Sequence, residues 1–275
     1  MFKIPQQSGQ SYINSLFTYQ PRIKMSKLKF EKFFRNPIDL KHIDAITQRL
    51  INLHKPINLA VIGLGESAIE PISILTQIQL TARRNGKNLG TIMGKVDFVD
   101  LDTANNIKHS PEILKTLTQT GQNRFISLNN GLAPKEQEYI YKHFKHYLDT
   151  SQKRYLGHPL EDFVDDPRNH NLYDMTFCNN VFYYVGFGKN KIGTKYTYIT
   201  PRDGIFYTNE TNCRYREVLD NLLSTVNKEG KVFFHHNGKS STGSKSTLST
   251  EMRNFVNEQK KNFKEVDIDI YERVS

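Results

Sequence analysis

The chain has 275 residues and a mass of 32.0 kDa, which is enough for one large α/β domain with additions or for two small domains. Its formal net charge of +10 is compatible with an anionic partner, but the lysines are spread along the chain without an arginine-rich, aromatic-interleaved stretch, so nucleic-acid binding is disfavoured without being excluded. The sequence contains no apolar run near the roughly 20 residues that cross a bilayer, no secretory signal pattern at its start, and only two cysteines. These features exclude a disulfide framework and predict a cytoplasmic protein without a metal cluster or a membrane partner.

The first 55 residues form a distinct segment of the sequence. Residues 1–26 are polar with little periodicity and are typical of an extended arm. An apolar helical pattern begins at Lys27 and reaches Pro37, where a proline ends a helix or starts a new one. Because the pattern then continues to Leu50, we expect an arm followed by a short helical segment over residues 1–55.

A glycine turn follows the first predicted strand. Residues 59–62 form a short apolar run, Gly63 and Gly65 follow, and a helical pattern covers about residues 66–84. Glycines let the backbone approach a ligand closely, and a helix N-terminus offers unpaired N–H groups. The stretch therefore predicts a loop for a nucleotide-like ligand.

An acidic residue follows the next predicted strand. This strand runs from Lys95 to Asp100, and Asp102 lies where a carboxylate would accept hydrogen bonds from both hydroxyls of a ribose; the alternative is a solvated acid at a strand end. A strand, a glycine turn, a helix and then an acid are typical of dinucleotide-binding folds and of S-adenosylmethionine-dependent methyltransferases. Ala68 and Ile69 replace the third glycine of the dinucleotide fingerprint, which disfavours a nicotinamide cofactor.

The rest of the chain continues to alternate between helical and strand patterns. This alternation implies a parallel, doubly wound sheet with an antiparallel strand at the end. A basic and aromatic segment at 186–209 is predicted to be an inserted β-hairpin. The other predicted elements are helices at 111–120 and 134–148, a short strand at 155–158, a strand at 173–178, a helix at 212–226, a strand at 231–236, a helix at 250–263 and a strand at 265–273.

Six short motifs in a fixed order resemble those of the chemotaxis-receptor (CheR-type) methyltransferases. They are Phe33-Phe-Arg-Asn-Pro37, Glu70-Pro71, Asp100-Leu-Asp102, the stretch from Asn129 to Phe144, the stretch from Asp174 to Tyr184, and Gly230 to His236. That family carries Phe-Phe-Arg, Gly-Glu-Glu-Pro, Asp-Ile-Asp, Phe-Cys-Arg-Asn-Val and Gly-His-Ser in the same order. The likeness covers roughly residues 30–275. It implies an α/β fold of the class I methyltransferase type, which is a Rossmann-like doubly wound sheet, and S-adenosylmethionine as the cofactor.

The resemblance also implies roles for individual residues. Arg35 would lie beside the cofactor's sulfonium and orient the acceptor carboxylate; the alternative is an ordinary surface ion pair. Gly63, Gly65 and Glu70 would surround the methionine moiety, with Glu70 binding its ammonium group, and Asp102 would hold the ribose. The full assignment is Arg35, Asn180 and Tyr184 for catalysis, and Gly63, Gly65, Glu66, Glu70, Asp102, Leu160, Asn180 and Val181 for cofactor binding.

Three of these residues, Asn180, Val181 and Tyr184, are expected on the acceptor side of the site. Asn180 and Val181 would close the wall beside the transferable methyl group. Tyr184 would line the substrate opening, although a packing role fits it equally well. The family pattern assigns no residue to a metal.

The chain departs from the family pattern on both sides of the expected site. Near the cofactor, Ala68 and Ile69 replace a Gly-Glu pair, and Asn179 replaces the arginine of Cys-Arg-Asn-Val. On the substrate side, the helical N-terminal domain of the family is reduced, the connection before Tyr155 leaves no room for the small β-subdomain, and residues 186–209 are inserted. We therefore expect a conserved cofactor half and a different substrate.

Taken together, the sequence predicts a methyltransferase domain over residues 56–275 that acts on a carboxylate or other nucleophile of a protein or small-molecule acceptor. A methyl sulfonium is already activated and a carboxylate is ionised at neutral pH, so alignment of the reactants is needed rather than a base or a metal. Two alternatives stay open. One is a catalytically inactive binding protein with the same fold, favoured by the altered glycine loop and Asn179, and the other is a nucleic-acid methyltransferase, favoured by the basic charge.

Overall fold

A computed structural model gives the fold of the chain. It describes residues 37–64, 68–100, 103–104, 107, 134–178, 209–234, 247–258 and 262–275. The predicted helix at 111–120, the arm at 1–26 and all but the last residue of the inserted hairpin predicted at 186–209 lie outside the described residues; Asn209 is the first residue of a helix.

The described residues form seven α-helices and six β-strands that alternate along most of the chain. The helices are α1 (Pro37–Asn52), α2 (Ile69–Arg84), α3 (Leu89–Ile92), α4 (Pro134–Gln152), α5 (Leu160–Val164), α6 (Asn209–Ser224) and α7 (Thr247–Glu258). The strands are β1 (Ile57–Ile62), β2 (Met93–Val99), β3 (Tyr173–Cys178), β4 (Val226–Phe233), β5 (Phe263–Asp267) and β6 (Ile270–Arg273).

All six strands belong to one mixed sheet with the order β2-β1-β3-β4-β6-β5. Strands β2, β1, β3 and β4 are parallel to one another. Strand β6 pairs antiparallel with both β4 and β5, so β5 points in the same direction as the first four strands. The predicted antiparallel strand is therefore confirmed, and it lies one position inside the sheet edge.

Helices cover both faces of the sheet, as the sequence predicts for a doubly wound fold. On the first face, apolar residues of α1, α2 and α4 pack against alternate strand residues such as Leu59, Val61 and Phe177. On the second face, α5, α6 and α7 pack against the intervening residues, such as Ala60 and Ile62. This alternation follows from the two-residue period of a strand. Strand β3 is buried at all six positions, because helices cover both of its faces.

The chain reverses after α2 at a glycine. Gly86 has a φ of +65°, a backbone conformation that costs glycine little. The N–H groups of Asn85 and Lys87 donate to the carbonyl of Ala82, at 2.9 Å each, and so satisfy the end of the helix. The predicted termination of this helix is confirmed.

The last predicted strand, at 265–273, is wrong in one respect: the segment is a β-hairpin. Strand β5 ends at Asp267 and β6 begins at Ile270, with Asp269 at a φ of +59° between them. The period-two alternation of Val266, Ile268 and Ile270 predicts one continuous strand with all three side chains on one face. Instead, Ile268 is 62% exposed at the turn. The strand is interrupted at residues 268–269 because β6 pairs antiparallel with both β4 and β5. The chain therefore has to turn between β5 and β6.

Several further boundaries differ from the sequence predictions. Helix α6, strand β4 and helix α7 begin three to five residues before the predicted positions 212, 231 and 250. Helix α2 begins at Ile69 rather than near residue 66. The predicted short strand at 155–158 is a single parallel bridge between Asp100 and Leu156. Among the described residues, no helix combines the length and apolar character needed to cross a membrane.

Candidate functional site

The sheet has a crevice where its connections change direction. From β1 the chain passes through α2 to β2 on one side, and β3 then lies on the other side of β1. In open α/β sheets, such a reversal leaves a gap beyond the carboxyl ends of the two central strands, and ligands bind there. The candidate site is therefore the region beyond Ile62 of β1 and Cys178 of β3.

Gly63 turns the chain out of β1 at the edge of this crevice. Its φ of +79° lies in the region that favours glycine. Its N–H donates to the carbonyl of Val99 at 2.7 Å, and the N–H of Leu64 donates to Oδ2 of Asp100 at 2.7 Å. These two bonds extend the pairing of β1 with β2 into the loop, so the loop has a defined start.

Asp100 connects three segments at this end of the sheet. Its side chain binds Leu64, while its backbone carbonyl accepts N–H bonds from Gly157 at 2.9 Å and His158 at 3.2 Å. Gly157 has a φ of +81°, and a side chain there would contact Thr103. The carboxyl end of β2, the glycine loop and the segment before α5 are thus held together.

Glu70 places a carboxylate in the first turn of α2. It is buried, with 9% of its surface exposed, and the N–H groups at the start of a helix favour a negative charge there. Burial, followed by the charge of Glu70, raises the pKa of the Cys178 thiol well above its ordinary value. Since Cys178 ends β3, Glu70 lies close enough to the carboxyl end of β3 to influence its electrostatics.

Leu160 begins α5 on the second face of the sheet. It is 6% exposed and belongs to the apolar cluster that contains Ile62 and Val99, the last residues of β1 and β2. Its position fits the floor of a ligand site at the strand ends, although most of its side chain packs into the core. The adjacent Glu161 is also buried.

A second polar cluster lies deeper in the sheet and does not face the crevice. Asp97 of β2 is fully buried, and its carboxylate pairs with Arg154 at 2.6 Å and Lys95 at 3.4 Å. The hydroxyl of Tyr173 donates to Asp97 at 2.6 Å and contacts Asn169, whose side chain is also buried. Burial and the Asp97 charge raise the pKa of Tyr173 far above its ordinary value, so this hydroxyl remains a donor. The cluster fixes β2 to β3.

The structure brings only some of the predicted site residues together. Gly63 and Glu70 lie at the carboxyl ends of the central strands, and Leu160 lies beneath them. Outside the described residues are Arg35, Gly65, Glu66, Asp102, Asn180, Val181 and Tyr184.

Asp100 is a candidate site residue that the sequence reasoning missed. Both acids of Asp100-Leu-Asp102 follow the same strand, and the sequence pattern alone favoured the second as the sugar ligand. Asp100 comes directly after Val99, the last residue of β2. That adjacency to the strand end is the signal that could have identified it.

Ala68 explains how the altered glycine loop still leads into a helix. It precedes α2 with a φ of +50° and a ψ of +30°, and it is fully buried. A left-handed conformation costs a non-glycine residue about 1–2 kcal/mol. The loop thus retains a left-handed turn at this position without glycine.

Within the described ranges, no group of three or more histidine, cysteine or acidic side chains could hold a metal ion. No model of a known protein family matches the chain, and no curated protein matches it. The geometry of the crevice therefore carries the functional argument.

Proposed function

We propose that the chain is an S-adenosylmethionine-dependent methyltransferase of class I, similar to the CheR-type enzymes. It transfers a methyl group to a carboxylate or other nucleophile of a protein or small-molecule acceptor. The observation that carries the proposal is the sheet order β2-β1-β3-β4-β6-β5, with antiparallel β6 between β4 and β5 and a glycine turn after β1.

The sheet order supports one of the two families that share the glycine-turn pattern over the other. A dinucleotide-binding sheet is built from two βαβαβ halves with parallel strands. An antiparallel strand inserted beside the last parallel edge strand resembles the class I methyltransferase sheet instead. The missing third glycine of the dinucleotide fingerprint, at Ala68 and Ile69, points in the same direction.

The residues at the crevice fit such a cofactor. Gly63 presents backbone without a Cβ at the end of β1, and Glu70 supplies a buried carboxylate for an ammonium group. Asp100 supplies a second carboxylate beside the loop, so either Asp100 or Asp102 would accept hydrogen bonds from the ribose. A carboxylate in the first turn of α2 and another at the end of β2 favour a ligand that carries positive charge, as a methyl sulfonium compound does.

The remaining roles belong to the acceptor side. The cofactor supplies an already activated methyl group, so the chain's own residues have to align the acceptor and exclude water. Arg35 would orient an acceptor carboxylate by a bidentate contact. Asn180, Val181 and Tyr184 would form the wall beside the reacting groups.

Calorimetric titration of the purified protein with S-adenosylmethionine and S-adenosylhomocysteine tests the proposal. Micromolar binding supports it, and Arg35→Ala is then expected to keep cofactor affinity while abolishing transfer. If the folded protein binds neither compound, the proposal fails.

A catalytically inactive binding protein is the second candidate. The strained, non-glycine Ala68 at the helix start favours it, because the family has glycine in this part of the loop. Cofactor binding without turnover toward acidic protein acceptors would support this candidate over an enzyme.

The basic charge gives less support to a nucleic-acid methyltransferase than the whole-chain value indicates. Residues 1–55 contain 10 lysine and arginine residues and 3 acids, whereas residues 56–275 contain 28 and 25. The predicted methyltransferase domain therefore carries only a small part of the net positive charge. Salt-dependent retention of the protein on a nucleic-acid column tests this alternative.

A further inference from the structure

Helix α1 crosses the first face of the sheet, from the end where the parallel strands finish toward the end where they begin. Near its start, His42 contacts Asp267, which lies beside the β5–β6 turn. Near its end, Arg49 forms an ion pair with Glu229 in the first half of β4. The start of α1 therefore lies at the crevice end of the sheet, and Pro37 follows Arg35 by two residues in the sequence.

His42 sits between a cation and an anion from two different strands. Nζ of Lys231, in β4, lies 2.9 Å from Nδ1 of His42. Oδ2 of Asp267, at the end of β5, lies 3.5 Å from Nε2. A lysine ammonium can only donate a hydrogen bond, so Nδ1 has to accept and the ring proton has to be on Nε2.

The surroundings of this ring are strongly charged. Lys231 also pairs with Glu272 of β6 at 3.2 Å, and Glu272 pairs with Lys264 of β5 at 3.0 Å. On α1 itself, the negative charge of Asp39, one helical turn before His42, acts to raise the pKa of the His42 ring. Lys231 and His42 are mostly buried, with 11% and 14% of their side chains exposed, so water screens their contact poorly.

We infer that His42 is a positioning residue that clamps the start of α1 to β4 and β5 only while its ring is neutral. A protonated ring would place two donors, Nδ1–H and the Lys231 ammonium, against each other at hydrogen-bond distance. Acidification would therefore release α1 at the crevice end of the sheet. Any effect of this release on the proposed role of Arg35, which precedes Pro37 by two residues, rests on the proposed function. The clamp itself does not.

The pKa of His42 is shifted in the direction that this clamp requires. Burial, followed by the charge of Lys231, lowers the pKa of His42 below its ordinary value of 6.5, despite the opposing effects of Asp267 and Asp39. A base whose pKa is lowered by folding stabilises the fold fully above its ordinary pKa. That contribution is lost as the pH falls through the lowered value.

Amide hydrogen exchange on the full chain tests the clamp. Protection factors for α1, corrected for intrinsic exchange and compared with those of α2, are expected to fall about tenfold or more between about pH 7.5 and about pH 5. His42→Asn keeps an acceptor near Lys231 but cannot titrate, so its α1 protection should not depend on pH. His146→Asn, at an exposed position on α4, is the matched control and should retain the pH dependence of the wild type.

Nitrogen-15 spectra of the histidine rings give a second readout. The expected signature is a neutral His42 ring with its proton on Nε2. Equal α1 protection at both pH values, or a proton on Nδ1, would overturn the inference. Titration with S-adenosylhomocysteine in the same samples separates the two proposals, because failure to bind contradicts the proposed function and leaves the exchange result for the clamp standing.

Discussion

The carboxylate of Asp100 accepts a hydrogen bond from the backbone N–H of Leu64, with Oδ2 and N separated by 2.7 Å. The bond joins the end of β2 to the loop after β1. Leu64 is 2% exposed, so its N–H group has no alternative partner in bulk water. The start of the glycine loop therefore depends on an acid that lies 36 positions away in the sequence.

Replacing Asp100 tests this dependence. Asp100→Ala leaves a buried N–H without its acceptor and is expected to lower the free energy of unfolding by about 1–3 kcal/mol. Asp100→Asn keeps an acceptor oxygen and should lose less. Urea unfolding measures both, and Asp220→Ala, at an exposed position on α6, serves as the control.

Comparing the cofactor affinities of Asp100 and Asp102 variants tests which of the two acids binds the ribose in the proposed complex. If Asp102 is the sugar ligand, Asp102→Ala should abolish binding of S-adenosylhomocysteine without changing stability. Calorimetry on both alanine variants checks this. Unchanged affinity in Asp102→Ala, with loss in Asp100→Asn, would transfer the role to Asp100.

Removing the charge of Glu70 should weaken cofactor binding more than it weakens the fold. Glu70→Gln retains the size of the side chain in the first turn of α2 but loses the partner for an ammonium group. We expect affinity for S-adenosylhomocysteine to fall about tenfold or more, because a hydrogen bond to a charged group is lost. Calorimetry checks the affinity and thermal unfolding checks the fold. Asp220→Asn is the control variant and should bind with the affinity of the wild type.

The buried ion pairs of Asp97 should be important for stability. Asp97→Ala removes the acceptor of the Tyr173 hydroxyl and the partner of Arg154, and is expected to destabilise the fold by about 2–4 kcal/mol. Arg168→Ala removes an exposed ion pair with Asp166 and should shift the urea midpoint far less. Equal shifts in the two variants would contradict the importance of the buried network.

Cys178 should resist alkylation in the native protein. Only the thiolate reacts, and burial together with the Glu70 charge raises the pKa of this thiol. Iodoacetamide at about pH 8 is expected to leave Cys178 unmodified until the protein is unfolded. Site-resolved mass spectrometry distinguishes it from Cys213, and rapid labelling of Cys178 in the folded protein would contradict its burial.

Local patterns predicted the central strands because those strands are buried on both faces. The bounds of β3 could be identified from Tyr173 to Cys178, and β1 from the apolar run that precedes Gly63. The same reasoning failed at Ile268, where apolar alternation continues through a turn. Alternation records which side chains share a face, but it does not record which neighbouring strand is available for pairing.

The sequence by itself determined the alternation of helices and strands, the glycine turn after β1 and the candidate acids around it, because each depends on residues that are close together in the chain. Only the tertiary structure decided that β6 enters the sheet between β4 and β5, that Asp100 holds the loop at Leu64, and that His42 lies between Lys231 and Asp267. These relationships join residues far apart in the sequence. Their formation depends on packing and hydrogen bonding across the whole sheet, which no local pattern encodes.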